Sequence, residues 1–195
     1  MKTFIKEENY SAQFAAFWRA TRRAFLKCEV QQTYDETGEE ELLSLFRAGK
    51  LTELRKMLED DVNRSDSVWQ QSLDMNVAFI RIHVFSLPLT EYLRFELEAY
   101  NIQAAKCERI WMVPAHRVDS ADRAQLKDFM IFDTKRALVA DYTASGSLTG
   151  ATATDEPEDL VSLCSLRDRL IKTGIPWSEF WPDYLAGKYT HTSGN

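Results

Sequence analysis

The apolar segment Val77–Phe85 contains two polar side chains that are suited to chemistry, Arg81 and His83. Both occupy odd-numbered positions, whereas the even positions from 78 to 84 are all apolar. Successive side chains of a strand point to opposite faces, so a strand here would present Arg81 and His83 together. A strand buried on both faces is apolar throughout. We therefore expect this second face to be half open or to supply buried partners for the two residues.

Other polar residues could join this face in a ligand-binding crevice, because parallel sheets commonly bind ligands at the carboxyl ends of their strands. The candidate ligand-binding residues are Glu29, Tyr34, Arg81, His83, Tyr92, Arg94, Glu96, Asp128 and Asp133. A structural alternative fits the same pattern: Arg81 pairs with a carboxylate such as Glu96 or Asp128 and closes a sheet edge. The sequence leaves both interpretations open.

No sequence motif identifies a reaction, and we assign no catalytic residue. The three histidines lack the spacing of metal ligands, so no metal site is expected. Glycine-rich phosphate-binding loops and the Gly-x-Ser-x-Gly turn are absent, and no cofactor is expected. Cys107 lies between Lys106 and Glu108, but a plain thiol at a helix–strand junction is the simpler interpretation.

The hydrophobic pattern predicts an α/β (α+β) fold with a mixed sheet, whose core is formed by residues 77–154. The core begins with a βαβ unit: a strand over Val77–Phe85, an amphipathic helix over Leu89–Tyr100 and a parallel strand over Ile110–Val113. It is completed by a C-terminal hairpin, Phe129–Phe132 with Ala137–Tyr142, and a weak strand over Leu148–Thr154.

Residues 1–76 are predicted to form a helical N-terminal part. Its first helix begins with Ser11 as N-cap and extends to about Cys28, because apolar residues recur there at helical spacing. Residues 1–9 are expected to be a loose lead-in. Lys27–Tyr34 is expected to be a short edge strand or extended segment.

Residues 155–186 are predicted to form a last helix and an aromatic tail that packs back on the core. Leucines repeat at helical spacing up to Gly174, which ends the helix. The tail carries Trp177 and Trp181, which are candidates for docking a partner protein. Residues from about Gly187 onward are expected to be disordered.

The bulk properties favour one cytoplasmic domain of 195 residues. A net charge of −6 argues against direct binding to nucleic acid or to an anionic membrane. Three well-separated cysteines favour reduced thiols, and no apolar leader or run of about 20 apolar residues is present.

Several motifs resemble those of a bacterial family of unknown function. The most specific is Ser86-x-Pro88-Leu-Thr-x-Tyr92-Leu-Arg-Phe-Glu96-Leu, with Asp128-Phe-Met-Ile-Phe-Asp133 and the later Ile175-Pro-Trp-Ser-Glu-Phe beside it. The resemblance extends from about residue 25 to residue 181. Members are often encoded beside helix-turn-helix regulators, which implies a regulatory role and such a regulator as a partner.

The order strand, helix, strand, polar loop and hairpin is also similar to half of a phospholipase D-like domain. The signature of that fold is His-x-Lys-x-x-x-x-Asp. Asp133 matches its Asp, whereas Leu126 and Asp128 stand at the His and Lys positions. The resemblance thus implies a phospholipase D-like fold that lacks the nucleophilic histidine.

Three functional hypotheses follow from these observations. The leading one is a non-catalytic binding or regulatory module with a polar pocket near Arg81, Tyr92 and Asp128. It would recognise a small ligand, a nucleic-acid end or a protein. The first alternative is an enzyme that acts on a nucleotide or phosphate ester by a histidine-independent mechanism. The second is a structural partner of a DNA-binding regulator, docked through Trp177 and Trp181.

Overall fold

The computed structural model of the protein describes residues 1–35 and 38–189. Its strands are β1 (Lys2–Lys6), β2 (Ala24–Glu29), β3 (Ala78–Phe85), β4 (Arg109–Pro114), β5 (Phe129–Phe132), β6 (Arg136–Tyr142), β7 (Leu148–Thr154) and β8 (Ile175–Pro176). Its helices are α1 (Glu7–Ala20), α2 (Glu40–Arg47), α3 (Leu51–Val62), α4 (Val68–Asp74), α5 (Glu91–Lys106), α6 (Ser120–Arg123), α7 (Pro157–Thr173) and α8 (Trp177–Leu185).

These strands form one mixed sheet in the order β1-β7-β6-β5-β2-β3-β4-β8. β2, β3 and β4 are parallel to one another, and the other neighbouring pairs are antiparallel. The predicted α/β class with a mixed sheet is therefore confirmed. The parallel pairing of β3 with β4 across α5 and the β5–β6 hairpin were also predicted correctly.

The predicted first helix is too long, because α1 ends at Ala20 and β2 begins at Ala24. The aromatic stripe of α1 continues into the strand, where the rings of Trp18 and Phe25 lie 5.3 Å apart in one cluster. Spacing alone could not separate the two elements, since both contribute rings to the same core. The prediction of a helix as far as Cys28 is wrong for this reason.

Strand β2 is also a central strand and not the short edge strand or extended segment that was expected over Lys27–Tyr34. It pairs with β3 on one side and with β5 on the other. The expected loose lead-in over residues 1–9 is wrong as well. Lys2–Lys6 pairs with β7 along its whole length, and α1 starts at once at Glu7.

Helices cover both faces of the sheet. On one face α7 packs over a core that includes Leu26, Cys28, Ile82, Val84, Leu166 and Leu170. On the opposite face lie α1, α4 and α5, and the strand residues that alternate with that core point there. This second face begins with a cluster of aromatic rings, Trp18, Phe25, Phe79 and Phe132, and continues with polar side chains.

The C-terminal segment packs against the carboxyl end of β3. The ring of Phe180 in α8 is fully buried and lies 5.5 Å from that of Phe85. The expectation of disorder from Gly187 is wrong for Tyr189, which is buried with its ring stacked 4.7 Å from Phe180. Residues 190–195, which include His191, lie outside the described residues.

The cysteines Cys28, Cys107 and Cys164 are free thiols. Burial raises the pKa of Cys107 above its ordinary value, so its sulfur stays protonated at neutral pH. This agrees with the interpretation of Cys107 as a plain thiol. Across residues 1–35 and 38–189, no helix combines the length and apolar character needed to cross a bilayer.

Candidate functional site

Arg81 is the centre of a buried ionic network on the second face of the sheet. Its Nε donates to Oε1 of Glu108 at 2.6 Å, and its Nη1 donates to Oε2 of Glu29. The guanidinium carbon lies 4.5 Å from the centre of the Tyr100 ring. The side chains of all three charged residues are at most 5% exposed. Charges can be buried in this way only when each is paired and hydrogen-bonded.

The strand register brings these residues together. Arg81 of β3 lies beside Lys27 of β2 and beside Ile110 of β4. Glu29 follows Lys27 by two residues and therefore shares its face. Glu108 immediately precedes β4. The two carboxylates thus approach Arg81 from the neighbouring strands on either side.

Glu29 is shared between two cations. Its Oε1 lies 2.6 Å from Nζ of Lys27, while its Oε2 accepts from Arg81. Burial by itself would raise the pKa of Glu29, but Arg81 and Lys27 lower it well below its usual range. Glu29 is therefore ionised at neutral pH. Lys27, Glu29, Arg81 and Glu108 form a chain of alternating charges with no net charge.

His83 joins the network through the Tyr100 hydroxyl, which lies 2.9 Å from its Nδ1. The same hydroxyl is 3.1 Å from Oε2 of Glu29 and 3.2 Å from Oε2 of Glu96. Burial lowers the pKa of His83 to about 4, so the imidazole is neutral at pH 7. Its Nε2 is buried and lacks a hydrogen-bond partner of normal geometry among the described residues, although the backbone of Gln31 partly opposes the lowering of the His83 pKa.

Asp128 forms a second polar group next to the first. Its Oδ2 accepts from the Tyr34 hydroxyl at 2.6 Å, and its Oδ1 accepts from the Val30 amide at 2.8 Å. Burial raises the pKa of Asp128 to about 6, against the effect of the Tyr34 hydrogen bond. The ring of Tyr34 contacts those of Tyr92 and Tyr142 at 6.0 and 5.6 Å.

The structure corrects the expected pairing of Arg81. Its partners are Glu29 and Glu108, and neither Glu96 nor Asp128 binds it. The pair also does not close a sheet edge, because β3 is an internal strand. The expectation of buried partners for Arg81 and His83 on the second face is met by Glu29, Glu108 and Tyr100.

Most of the candidate residues lie in or next to these two groups. Glu29, Tyr34, Arg81, His83, Glu96 and Asp128 converge, and Tyr92 adjoins them through the Tyr34 ring while its hydroxyl donates to Glu39 at 2.8 Å. Arg94 does not join them, because it lies on the exposed side of α5. Asp133 does not join them either, because it lies beyond the opposite end of β5 from Asp128.

Asp133 instead binds the backbone where the chain enters β2. Its carboxylate accepts from the amides of Arg22, Arg23 and Ala24 at 2.7 to 2.9 Å. Burial tends to raise its pKa, but these amides bring the pKa below its usual value. The residue adopts a left-handed backbone conformation with φ of 54°.

Replacing Asp133 with alanine is expected to lower the free energy of unfolding by about 1–3 kcal/mol, because three amides lose a charged acceptor. Urea denaturation followed by circular dichroism measures this. Asp133→Asn is the matched control, since it keeps an acceptor and tolerates the left-handed backbone. Equal losses in both variants would show that the amide bonds are not the cause.

A cleft of about 310 Å³ lies between α1, α4 and the sheet. This aromatic cleft is lined by Tyr10, Ser11, Phe14, Phe25, Lys27, Val68, Trp69, Phe79, Arg81 and Met130. The side chain of Lys27 is 28% exposed and that of Arg81 only 5%, so a bound molecule meets the ammonium first. Trp69 joins the cleft to the network, because its Nε1 donates to Glu108 at 2.8 Å.

Lys27, Trp69, Tyr100 and Glu108 were not among the candidates. The sequence did contain a signal for Lys27. Lys27 and Glu29 are two residues apart, as Arg81 and His83 are, so the two side chains share one face of a strand. Tyr100 follows Glu96 by four residues and so lies on the same face of α5. Glu108 and Trp69 gave no such signal, because their position depends on how α4 and β4 pack.

The candidate docking residues Trp177 and Trp181 stack on each other with ring centres 5.3 Å apart. Both belong to α8, are half-buried and pack against the part of the core that α5 covers. Trp177 also lies 6.2 Å from the Tyr100 ring. A role in docking a partner stays a prediction.

The chain is thus an α/β protein with a mixed sheet and a buried ionic network on one face. It belongs to DUF6879, a domain of unknown function, whose family model matches residues 12–182. The predicted membership of a family of unknown function is confirmed, and its association with helix-turn-helix regulators stays a prediction. A comparison with curated proteins finds no match.

Two solved structures are similar at low sequence identity. TrmBL2, an archaeal chromatin protein whose structure is described as showing a novel mode of DNA binding, is 8% identical with a TM-score of 0.48. The match covers 90% of this chain and 54% of TrmBL2, so this chain spans about half of that protein. Nuc, a phospholipase D family member from Salmonella typhimurium, is 11% identical with a TM-score of 0.49, and the match covers 90% of this chain and 97% of Nuc.

Proposed function

We propose that this protein is a non-catalytic binding module whose small ligand occupies the aromatic cleft. The observation that carries the proposal is the combination of aromatic walls with one partly exposed ammonium, that of Lys27. Small-molecule sites are typically apolar clefts of this size with a few fixed polar groups. The ionic network supplies the fixed polar group, because the buried carboxylate of Glu29 binds the Lys27 ammonium and positions it.

The lining favours a flat or largely apolar ligand that carries one acidic group. The rings of Phe14 and Trp69 offer apolar surface on two sides of the cleft, from α1 and α4. A lysine ammonium has three N–H donors, so Lys27 can bind Glu29 and a ligand oxygen at the same time. Aromatic carboxylates and mononucleotides both meet this description.

Binding is favoured over catalysis because the titratable groups behind the cleft are already committed within the protein. Glu29 and Glu108 are held by Arg81, and Asp128 is held by Tyr34 and a backbone amide. His83 is fully buried and contacts Tyr100. A general base must reach the proton that it removes. Lys27 and Arg81 line the cleft, whereas the side chains of Glu29, Glu108, Asp128 and His83 are not part of its lining.

Lys27→Met is expected to weaken binding of an acidic aromatic probe about tenfold or more, because a charge-assisted hydrogen bond is lost. Indole-3-carboxylate and adenosine monophosphate are suitable probes, and titration calorimetry measures their affinity. The fold should survive, since Glu29 keeps its bond to Arg81.

Lys56→Met is the matched control, because Lys56 is an exposed lysine of α3 that pairs with Asp60 away from the cleft. It should bind the probes as the wild type does. The proposal is rejected if the wild-type protein binds neither probe, or if Lys27→Met and Lys56→Met bind equally well.

A further inference from the structure

A second cleft, of about 370 Å³, opens at the carboxyl ends of β3 and β4. Phe85 and Ser86 line it from the end of β3, and Pro114 lines it from the end of β4. The cleft shares no lining residue with the aromatic cleft. The carboxyl ends of parallel strands are a common location for ligands in α/β proteins, so this cleft is placed where a second site would be expected.

The second cleft is basic, although the protein as a whole is acidic. His116, Arg117 and Lys188 line it, and its described lining contains no aspartate or glutamate. Lys188 pairs with Asp183 at 2.6 Å, but Asp183 lies outside the lining. With a net charge of −6 on the whole chain, two cationic side chains around one cavity, those of Arg117 and Lys188, favour an anion there.

Tyr189 adds an independent observation. It lines the basic cleft and is 8% exposed, and its ring is fixed against Phe85 and Phe180. Its hydroxyl is buried and has no hydrogen-bond partner within residues 1–35 and 38–189. Buried hydroxyl groups in native proteins are nearly always hydrogen-bonded, because an unsatisfied one is costly. An acceptor that the described chain does not supply would satisfy it.

We infer that the basic cleft binds an organic anion, a phosphate or a carboxylate attached to an apolar group. Arg117 and Lys188 bind the acidic group, and a guanidinium is suited to both anions because its donors match their paired oxygens. The Tyr189 hydroxyl donates to the same group or to a neighbouring oxygen. Leu87, which is 38% exposed, and the half-buried Ile175 line the cleft and provide the surface for the apolar part.

The test uses phenyl phosphate and benzoate as probes, with titration calorimetry on the full chain. At least one probe should bind, and the stronger of the two distinguishes a phosphate from a carboxylate ligand. Arg117→Gln is expected to weaken its binding about tenfold. Lys188→Gln, which changes an exposed residue, is a second variant that should act in the same direction.

Tyr189→Phe gives a second readout, because it removes only the hydroxyl. It should weaken binding about threefold and leave the melting temperature of the free protein unchanged or raised. A lower melting temperature would show that the hydroxyl already has a partner and would overturn this part of the inference.

Arg109→Gln is the matched control, since Arg109 is an exposed arginine at the other end of β4. It should bind the probes as the wild type does. The inference is overturned if neither probe binds, or if Arg117→Gln binds as well as Arg109→Gln. Lys27→Met should retain binding here, so failure of the aromatic cleft and failure of the basic cleft are separate results.

Discussion

Arg81→Met is expected to lower the free energy of unfolding by about 3–5 kcal/mol, the cost of breaking a buried ion pair from one side. The methionine leaves Glu108 without its cation and leaves Glu29 with Lys27 alone. Both carboxylates are nearly inaccessible to water, which therefore cannot replace the guanidinium. Chemical denaturation followed by tryptophan fluorescence measures the loss.

Two further variants test whether the loss of stability in Arg81→Met comes from the buried ion pairs. Arg47→Met removes a solvent-exposed pair with Glu91 and should change stability by about 1 kcal/mol or less. Adding Glu108→Gln to Arg81→Met should recover part of the loss, because Glu29 keeps Lys27 as its cation and no uncompensated buried carboxylate then remains. A loss in Arg81→Met no larger than that in Arg47→Met would mean that the network contributes little to folding.

The pH dependence of stability should reveal two opposing buried groups. The pKa of Asp128 is raised to about 6 in the folded protein, so its contribution to stability falls as pH rises from about 4 to 6. The pKa of His83 is lowered to about 4, below the value of about 6.5 for an unfolded chain. Its contribution therefore falls as pH drops through the same window, and the two effects largely cancel in the wild type.

Single variants should separate the two contributions. Relative to the wild type, Asp128→Asn should gain stability as pH rises from about 4 to 6, by about 3 kcal/mol in total. His83→Gln should change in the opposite sense, losing stability relative to the wild type over about pH 4 to 6.5 by a similar amount. Denaturation curves at half-unit steps of pH measure both differences.

The direction in which each stability difference changes with pH distinguishes titration of the group from damage to packing. A mutation that only damages packing lowers the free energy of unfolding equally at every pH. A pH-independent difference for Asp128→Asn would show that Asp128 titrates as it does in an unfolded chain. The same outcome for His83→Gln would show that the imidazole gains or loses its proton freely in the folded state.

The core of the fold could be predicted because its signals are local. The alternation of apolar residues in β3, the amphipathic pattern of α5 and the turn between β5 and β6 each lie within a short stretch of sequence. β1 was missed and β2 was misplaced because the signals for these two strands are not local. β1 becomes a strand through pairing with β7, and β2 shares its aromatic cluster with the helix before it.

The ionic network could be predicted in part for the same physical reason. A polar residue within an apolar strand must have a buried partner, which correctly drew attention to Arg81 and His83. Which carboxylate is that partner depends on strand order, and the sequence does not state that β2 lies beside β3. Glu108 was therefore missed although it adjoins a predicted strand, while Arg94 was included although it faces solvent.

The central position of β2 has a consequence for how the chain is made. This strand separates the parallel part of the sheet from the antiparallel part, and it hydrogen-bonds to both. Its parallel neighbour is synthesised much later, and its antiparallel neighbour later still, after β4. During translation the edge of β2 that faces β3 can pair once β3 has emerged, whereas the edge that faces β5 remains unpaired until Phe129–Phe132 has left the ribosome. A nascent chain with an unpaired strand edge is prone to aggregation. A chaperone that binds strand edges would therefore act during this period of synthesis.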